Sequence, residues 1–517
     1  MSSQRRPGLI LKICVFATGC AGIVAEYVLS TLATYLGGNA VFQWTMVMSL
    51  MLFAMGLGSR LSKNLTARLL DSFILVEFSL SLLCASAAVL SYGLAAYTSQ
   101  ISLIIYTLSL IIGGLIGFEI PLVMRLNDAY EDLRTNIAGV MEKDYYGALL
   151  GGLFFAFVAL PYLGLTYTPV VLGAINFLVA SLLLWSFFNL VAWKKMVAGA
   201  FAVSTGLLVG LAVLSEPIIL FGEQSQFKDK VVYTRQTPYQ KIVITQWKKD
   251  YWLFLNSQLQ FSTFDEERYH EPLVHPAMNL TADRSRVLIL GGGDGLALRE
   301  VFKYPEVRAV TLVDIDKAMT DLASHYPILV TINQGSMRDQ RLKIVNRDAG
   351  VFIKEDNGYY GVIIVDLPDP DTVDLLHLYS ESFYRLAQKH LAPGGVMVTQ
   401  ATSPYFARSA FLCIVKTIRA AGFSVLPYHN QIPTMGEWGW VLGVRAGEVD
   451  EARLRQRALA LDYSQAPTRF FNREAMISMV HFGKGVFDPD LEAEIEVNTQ
   501  ANPVLNTYYR AGAWAVY

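Results

Sequence analysis

The sequence predicts an α-helical transmembrane bundle of about seven spans, followed by a Rossmann-like α/β domain with a small N-terminal β unit. Three observations carry this reading. Hydrophobic residues make up 53% of the 517 and charged residues 17%, with a mean hydropathy of +0.36, against about 45–50% and about 25% in soluble domains. The apolar excess is concentrated in residues 1–222, as nearly unbroken hydrophobic runs. Beyond them, short β-rich runs alternate with helical stretches and end in glycine or aspartate, the pattern of a doubly wound sheet. This composition excludes a purely soluble enzyme and any long disordered region. A net charge of −2 gives no basic face for nucleic acid, and four cysteines exclude a disulfide scaffold.

A membrane-spanning helix needs about 20 apolar residues. Seven runs qualify: 9–31, 40–59, 72–95, 101–124, 146–163, 168–191 and 196–220. Gly56, Gly58, Gly113, Gly114, Gly117, Gly151 and Gly152 within them suit close helix–helix contact. Basic residues open the first run (Arg5, Arg6, Lys12) and follow the second (Arg60, Lys63, Arg68), the fourth (Arg125, Arg134, Lys143) and the sixth (Lys194, Lys195). The alternate loops have none, which places the N-terminus in the cytoplasm. Four carboxylates interrupt the runs: Glu26, Asp71, Glu77 and Glu119. Such groups are costly in lipid and mark function or an interhelical bond. Asp71 is expected near a helix end, within reach of water.

Residues 223–285 read as a small β unit, with runs at 231–234, 240–246 and 251–255 and a hairpin turn at Asn256-Ser257. Residues 286–450 form the Rossmann-like domain, and 451–517 a C-terminal extension. Five strands are expected at 287–290, 309–313, 342–345, 361–365 and 395–400. Asp294, Asp314, Asp348 and Asp366 follow four of them. Ligands of such sheets bind beyond the carboxyl ends of the strands, so four acids converge on one crevice. The loop Gly291-Gly292-Gly293-Asp294-Gly295 fits a nucleotide-type turn. Asp314, about 20 residues later, stands where an acid takes ribose hydroxyls. Asp294 inside the loop would repel a pyrophosphate. An adenosine ligand without phosphate and with positive charge, such as a sulfonium, fits better than a dinucleotide.

Over about 230–445 the residues resemble the spermidine synthase (polyamine aminopropyltransferase) family. The resemblance rests on Tyr239-Gln240, Asp265-Glu266-x-x-Tyr269-His270-Glu271, the glycine loop, Asp314-Ile315-Asp316, Asp348-Ala349, Asp366-Leu367-Pro368-Asp369-Pro370 and the stretch from Leu378 to Gly395. Fusion to a helical membrane module is similar to a bacterial subgroup of that family. The resemblance implies transfer of an aminopropyl group from decarboxylated S-adenosylmethionine to putrescine, giving spermidine and methylthioadenosine. It implies Asp366 as general base and Asp369 as a holder of the diamine. It puts Gln240, Gly291, Gly293, Asp314, Ile315, Asp348 and Ala349 on the donor, and Tyr269, His270, Glu271 and Asp294 on the polyamine side. Acids suit a diamine and a sulfonium because buried cations need partners. Neither a cofactor nor a metal is expected; decarboxylated S-adenosylmethionine is a co-substrate.

Three positions depart from the family pattern: Leu296 where a further glycine is usual, Val373 where a proline is common, and Met435 in place of a pocket tyrosine. Glu437 or Trp438 could compensate for Met435 by charge or cation–π contact. Two other readings stand beside the main one: an S-adenosylmethionine-dependent methyltransferase, and a membrane polyamine transporter or sensor with Glu26 and Glu119 facing a cavity. The expected partners are the two small substrates and the lipid bilayer, without nucleic acid, in a homo-oligomer. The expected location is the inner cell membrane, multi-pass. Seven crossings would place residues 223–517 outside, away from a cytosolic donor. A cytoplasmic catalytic domain is expected on that ground, with one span miscounted.

Overall fold

The computed structural model describes residues 5–37, 40–98 and 100–514. It has two compact units, Met1–Val231 and Val232–Tyr517.

The first unit is helical: α1 (Arg5–Gly37), α2 (Ala40–Ser62), α3 (Leu69–Ala95), α4 (Ile101–Asn127), α5 (Leu133–Phe154), α6 (Gly164–Ser186) and α7 (Lys194–Ser225). Among the described residues, six helical runs are long and apolar enough to cross a membrane, not seven. The difference lies in Leu133–Ser186, a single run of 54 residues, in which a π-helical segment, Phe155–Leu163, joins α5 to α6. This run doubles back at Gly164, whose φ of 61° and ψ of −169° leave the helical region. Its halves therefore travel in opposite senses. Gly147 packs on Phe16 and Gly151 on Cys20, so α5 runs alongside α1. Gly173 packs on Ser81 and Ala85, while Trp193, just beyond α6, donates its backbone N–H to Asp71; α6 thus opposes α3.

Glycine sets the helix spacing. A Cβ on Gly58 would stand 2.0 Å from the Gly114 carbonyl oxygen, and one on Gly117 would stand 2.2 Å from that of Met55. Backbones in van der Waals contact leave no room for side chains. Gly56 and Gly114 themselves face open space. Asp71 does not reach water: it is 1% exposed and accepts the Trp193 N–H at 2.7 Å. Glu26, Glu77 and Glu119 are buried as well.

The second unit opens with an antiparallel sheet, β1 (Lys230–Gln236), β2 (Lys241–Trp247), β3 (Asp250–Leu255) and β4 (Gln258–Ser262), paired in that order. Asn256 and Ser257 both have positive φ, 49° and 67°, as a two-residue type I′ hairpin requires. After α8 (Glu267–Leu280) come β5 (Arg286–Gly291), α9 (Leu296–Val301), β6 (Ala309–Val313), α10 (Lys317–His325), β7 (Leu342–Val345), β8 (Tyr360–Asp366), β9 (Leu391–Gln400), β10 (Phe423–Ile432) and β11 (Gly436–Arg445). The sheet order is β10-β11-β9-β8-β5-β6-β7. β9, β8, β5, β6 and β7 are parallel, and the five strands expected from sequence are these. The antiparallel hairpin β10–β11 extends the sheet at one edge, a pairing the sequence reading did not anticipate.

Both sheet faces are buried. Val287 and Ile289 enter one core, Leu288 and Leu290 the other, which is why β5 reads as an unbroken apolar run. The C-terminal residues wrap both faces: Phe471 and Met476 join the first core, Leu505 and Tyr509 the second. Chain order runs outward from β5 through β6 to β7, then returns to β8 on β5's other side. That reversal is the switch point where open α/β sheets bind ligands.

Candidate active site

The glycine loop leaves β5 at the switch point and lies directly against two carboxylates. Gly291 and Gly292 have φ of 86° and 63°. A Cβ on Gly291 would meet the Asp366 carbonyl oxygen at 2.0 Å, and one on Gly293 would meet Asp314 Oδ2 at 2.4 Å. The Gly292 N–H donates to the Asp366 carbonyl at 3.0 Å. Glycine is required here because the ends of β6 and β8 press their aspartates onto the loop backbone.

Asp366 is half-buried at the end of β8, and the Tyr269 hydroxyl donates to its Oδ1 at 2.8 Å. Burial raises its carboxyl to about 6, helped by Asp294 and opposed by His270 and Tyr269. Such a value suits a group that must accept a proton near neutral pH. His270 lies one residue on from Tyr269 in α8, with Nδ1 against Glu266 Oε2 at 3.1 Å. Burial opposes its charge, yet Glu266 holds its pKa above the ordinary value. Arg299 completes the chain, donating to the same Glu266 oxygen at 2.8 Å. Asp294 accepts the Leu296 N–H at 2.8 Å, and burial raises its pKa. Asp314 accepts the Asp316 N–H at 2.8 Å and is raised to about 7, chiefly by burial. Asp294, Asp314 and Asp366 therefore form one cluster around the glycine loop.

Asp369 is held by three neutral donors: Gln400 at 3.2 Å on Oδ1, and Thr402 at 3.2 Å and Tyr509 at 2.9 Å on Oδ2. Burial raises it to about 6 against these bonds. Tyr509 comes from the C-terminal helix Leu505–Arg510. Two neighbours strap the same loop, Asn506 to the Pro370 carbonyl and Arg510 to that of Asp371. Tyr379 donates to the Pro368 carbonyl at 2.8 Å.

The remaining expected residues divide. Gln240 reaches Asp316 Oδ2 at 3.0 Å rather than Asp314. Asp348 caps the helix Ala349–Glu355 through the Val351 N–H and meets His377 at 3.3 Å; Ala349 is buried beside it, and Ile315 is 41% exposed. Glu271 is not brought to the cluster. Its carboxylate accepts the backbone N–H groups of Arg469, Phe470 and Phe471 at 2.7–2.8 Å. Two residues apart on a helix, Tyr269 and Glu271 cannot share a face, so Glu271 anchors the C-terminal extension instead. Glu437 is likewise turned away, paired with His429 at 2.9 Å. Trp438 stays beside Tyr269, with ring centroids 6.4 Å apart. Leu296 belongs to the core, Met435 is buried with it, and Val373 is exposed.

Sequence reasoning did not assign Gln400, Thr402, Tyr379 or Tyr509 to the site. For the first two, the end of β9 was the available signal. For Tyr509, 140 residues from Asp369, there was none.

Residues 266–454 match the spermine/spermidine synthase domain. The chain is 41% identical to polyamine aminopropyltransferase 2 of Aquifex aeolicus over 96% of its own length and 98% of the relative's. The polyamine aminopropyltransferase of Oceanobacillus iheyensis is 36% identical, with 98% of each chain covered. The chain belongs to the polyamine aminopropyltransferase family. The likeness extends through the helical unit, as in a fused subgroup of these enzymes. Spermidine synthase from Thermotoga maritima matches 49% of the chain and 85% of its own at 25% identity, with a TM-score of 0.43.

Proposed function

We propose that this enzyme transfers the aminopropyl group of decarboxylated S-adenosylmethionine to putrescine. The observation that carries the reading is Asp366: half-buried at the switch point, raised to about 6, bonded to Tyr269 and resting on the glycine loop. In the reaction, the amine nitrogen of the diamine attacks the methylene beside the sulfonium. A C–N bond forms, the C–S bond breaks, and its electron pair stays on sulfur as methylthioadenosine. The proton lost by the attacking nitrogen passes to an oxygen of Asp366. Holding the two reactants in line supplies much of the rate, and the proton transfer contributes about 10²–10⁴-fold. Asp314 and Asp348 would hold the adenosine portion, with Gln240 acting through Asp316. Asp294 and Asp369 would compensate the cationic arms, and His270, held by Glu266, would keep the cluster from carrying only negative charge. No cofactor or metal takes part in these steps.

The helical unit serves, in this reading, as a multi-pass anchor in the inner membrane. The catalytic unit is placed in the cytosol by its donor. That molecule carries a sulfonium charge and an ammonium and does not cross a bilayer unaided.

Purified protein given decarboxylated S-adenosylmethionine and putrescine should release methylthioadenosine and spermidine in equal amounts. Methyl transfer from ordinary S-adenosylmethionine, with no transfer to any diamine in a panel, would overturn the reading.

A further inference from the structure

The helical unit buries two carboxylates for which the reaction has no use. Glu77 of α3 is fully buried, and among the described residues no N–H or hydroxyl donates to either of its carboxylate oxygens; the group within hydrogen-bond reach is another carboxyl, that of Glu119. Glu119, on α4, is itself 4% exposed. The groups acting on Glu119 are Thr18 of α1, Glu77 and Asp144 of α5, none of them a cation. Ser81 lies one turn from Glu77 on the same face of α3, and Gly173 of α6 packs on its backbone. Asn176, one turn along from Gly173, is thereby set beside the same stretch. Ser81 Oγ and Asn176 Oδ1 are also buried without partners.

An ionised carboxylate at this depth needs a cation, and a protonated one needs an acceptor for its hydrogen. The atoms that no donor reaches are carboxylate oxygens, an amide oxygen and a hydroxyl. That set is rich in acceptors and calls for a cation with several N–H or O–H donors. Among the described residues, no group of three or more His, Cys, Asp or Glu could hold a metal ion. A terminal ammonium offers three donors and one positive charge.

We propose that Glu77 and Glu119, with Ser81 and Asn176, form a second amine site inside the helical unit, one that takes the terminal ammonium of an alkylamine. The choice of alkylamine rests on the proposed function, whose acceptor and product are of that class. Helices α3, α4 and α6 close around the site, so the amine enters when they part, and the site is distinct from the Asp366 cluster of the catalytic unit.

The test uses the full chain in lipid nanodiscs, treated with a carbodiimide that modifies buried carboxyls. Labelling of Glu77 and Glu119 is read by peptide mass spectrometry, with spermidine as the probe. At ten times its Kd, spermidine should reduce the label about elevenfold, by mass action. Glu77→Gln should abolish that protection at Glu119, whereas Glu142→Gln, on an exposed residue, should leave it intact. Methylthioadenosine release should be unchanged in Glu77→Gln. A label on wild-type protein that spermidine does not diminish would overturn the proposal and leave the two acids sharing a proton. Wild-type protein suffices for that result even if a variant misfolds. Protection without methylthioadenosine release would instead sink the proposed reaction and leave the amine site standing.

Discussion

Replacing Tyr269 with phenylalanine removes one hydroxyl while the ring keeps its packing against Trp440, at 5.6 Å between centroids. That hydroxyl donates to Asp366 Oδ1 at 2.8 Å and favours the ionised carboxylate. A hydrogen bond to a charged group is worth about 1.5–3 kcal/mol, and one pKa unit corresponds to about 1.4 kcal/mol. Part of the bond persists to the protonated acid. Asp366, already at about 6, should therefore rise by roughly one further pH unit. The base must be ionised to act, so activity is lost as pH falls through its pKa. The acid limb of kcat/KM for the donor should lie near 6 in the wild type and move up in Tyr269→Phe. The assay follows methylthioadenosine release from pH 5 to 9 at one fixed diamine concentration. The amine's own titration is common to both proteins, so their difference isolates the carboxyl. An unmoved limb, with activity lowered equally at every pH, would refute the reasoning and reduce Tyr269 to a packing residue.

Asp366→Asn should lower turnover at least about 10²-fold while stabilising the unliganded catalytic unit. Burial raises this carboxyl from 3.8 to about 6, so the folded state binds the proton more tightly and stability falls as pH rises through that window. The difference amounts to about 3 kcal/mol at neutral pH, and an unchanged or lower melting temperature at pH 7 would contradict it. Asp314→Ala should raise the donor KM far more than that of the amine, and the reverse order would remove Asp314 from the donor site. Tyr509→Phe should raise the diamine KM by about tenfold, from one lost charge-assisted bond, with the donor KM unchanged; an equal effect on both would make the C-terminal helix a general stabiliser. A fluorescent reporter after Tyr517 should glow and alkaline phosphatase there should be inactive. Phosphatase activity would place the catalytic unit outside, as the basic loops favour, and would leave it without its donor.

The sequence by itself determined what repeats or stays local along the chain. Apolar runs marked the helices, and the break between 146–163 and 168–191 falls at Gly164, although composition could not show that the helical run is otherwise continuous over 133–186. The central parallel strands are apolar on both faces and the edge strand β7 is apolar at Leu342, Ile344 and Val345, so all five were legible, and the aspartates that follow four of them announced the crevice. The Asn256-Ser257 turn was legible because positive φ at two successive residues favours particular side chains. Tertiary structure alone decided what depends on distant parts of the chain meeting. Glu271 looked like a site residue from its neighbours, but helical geometry turned it toward Arg469–Phe471. Tyr509 reached Asp369 across 140 residues because the C-terminal extension wraps the sheet. Glu77 carried no local sign that its only hydrogen-bonding neighbour among the described residues would be another carboxyl. Periodicity reports which face of an element is buried; it is silent on which other element lies against that face, and that second fact sets every partner of these three residues.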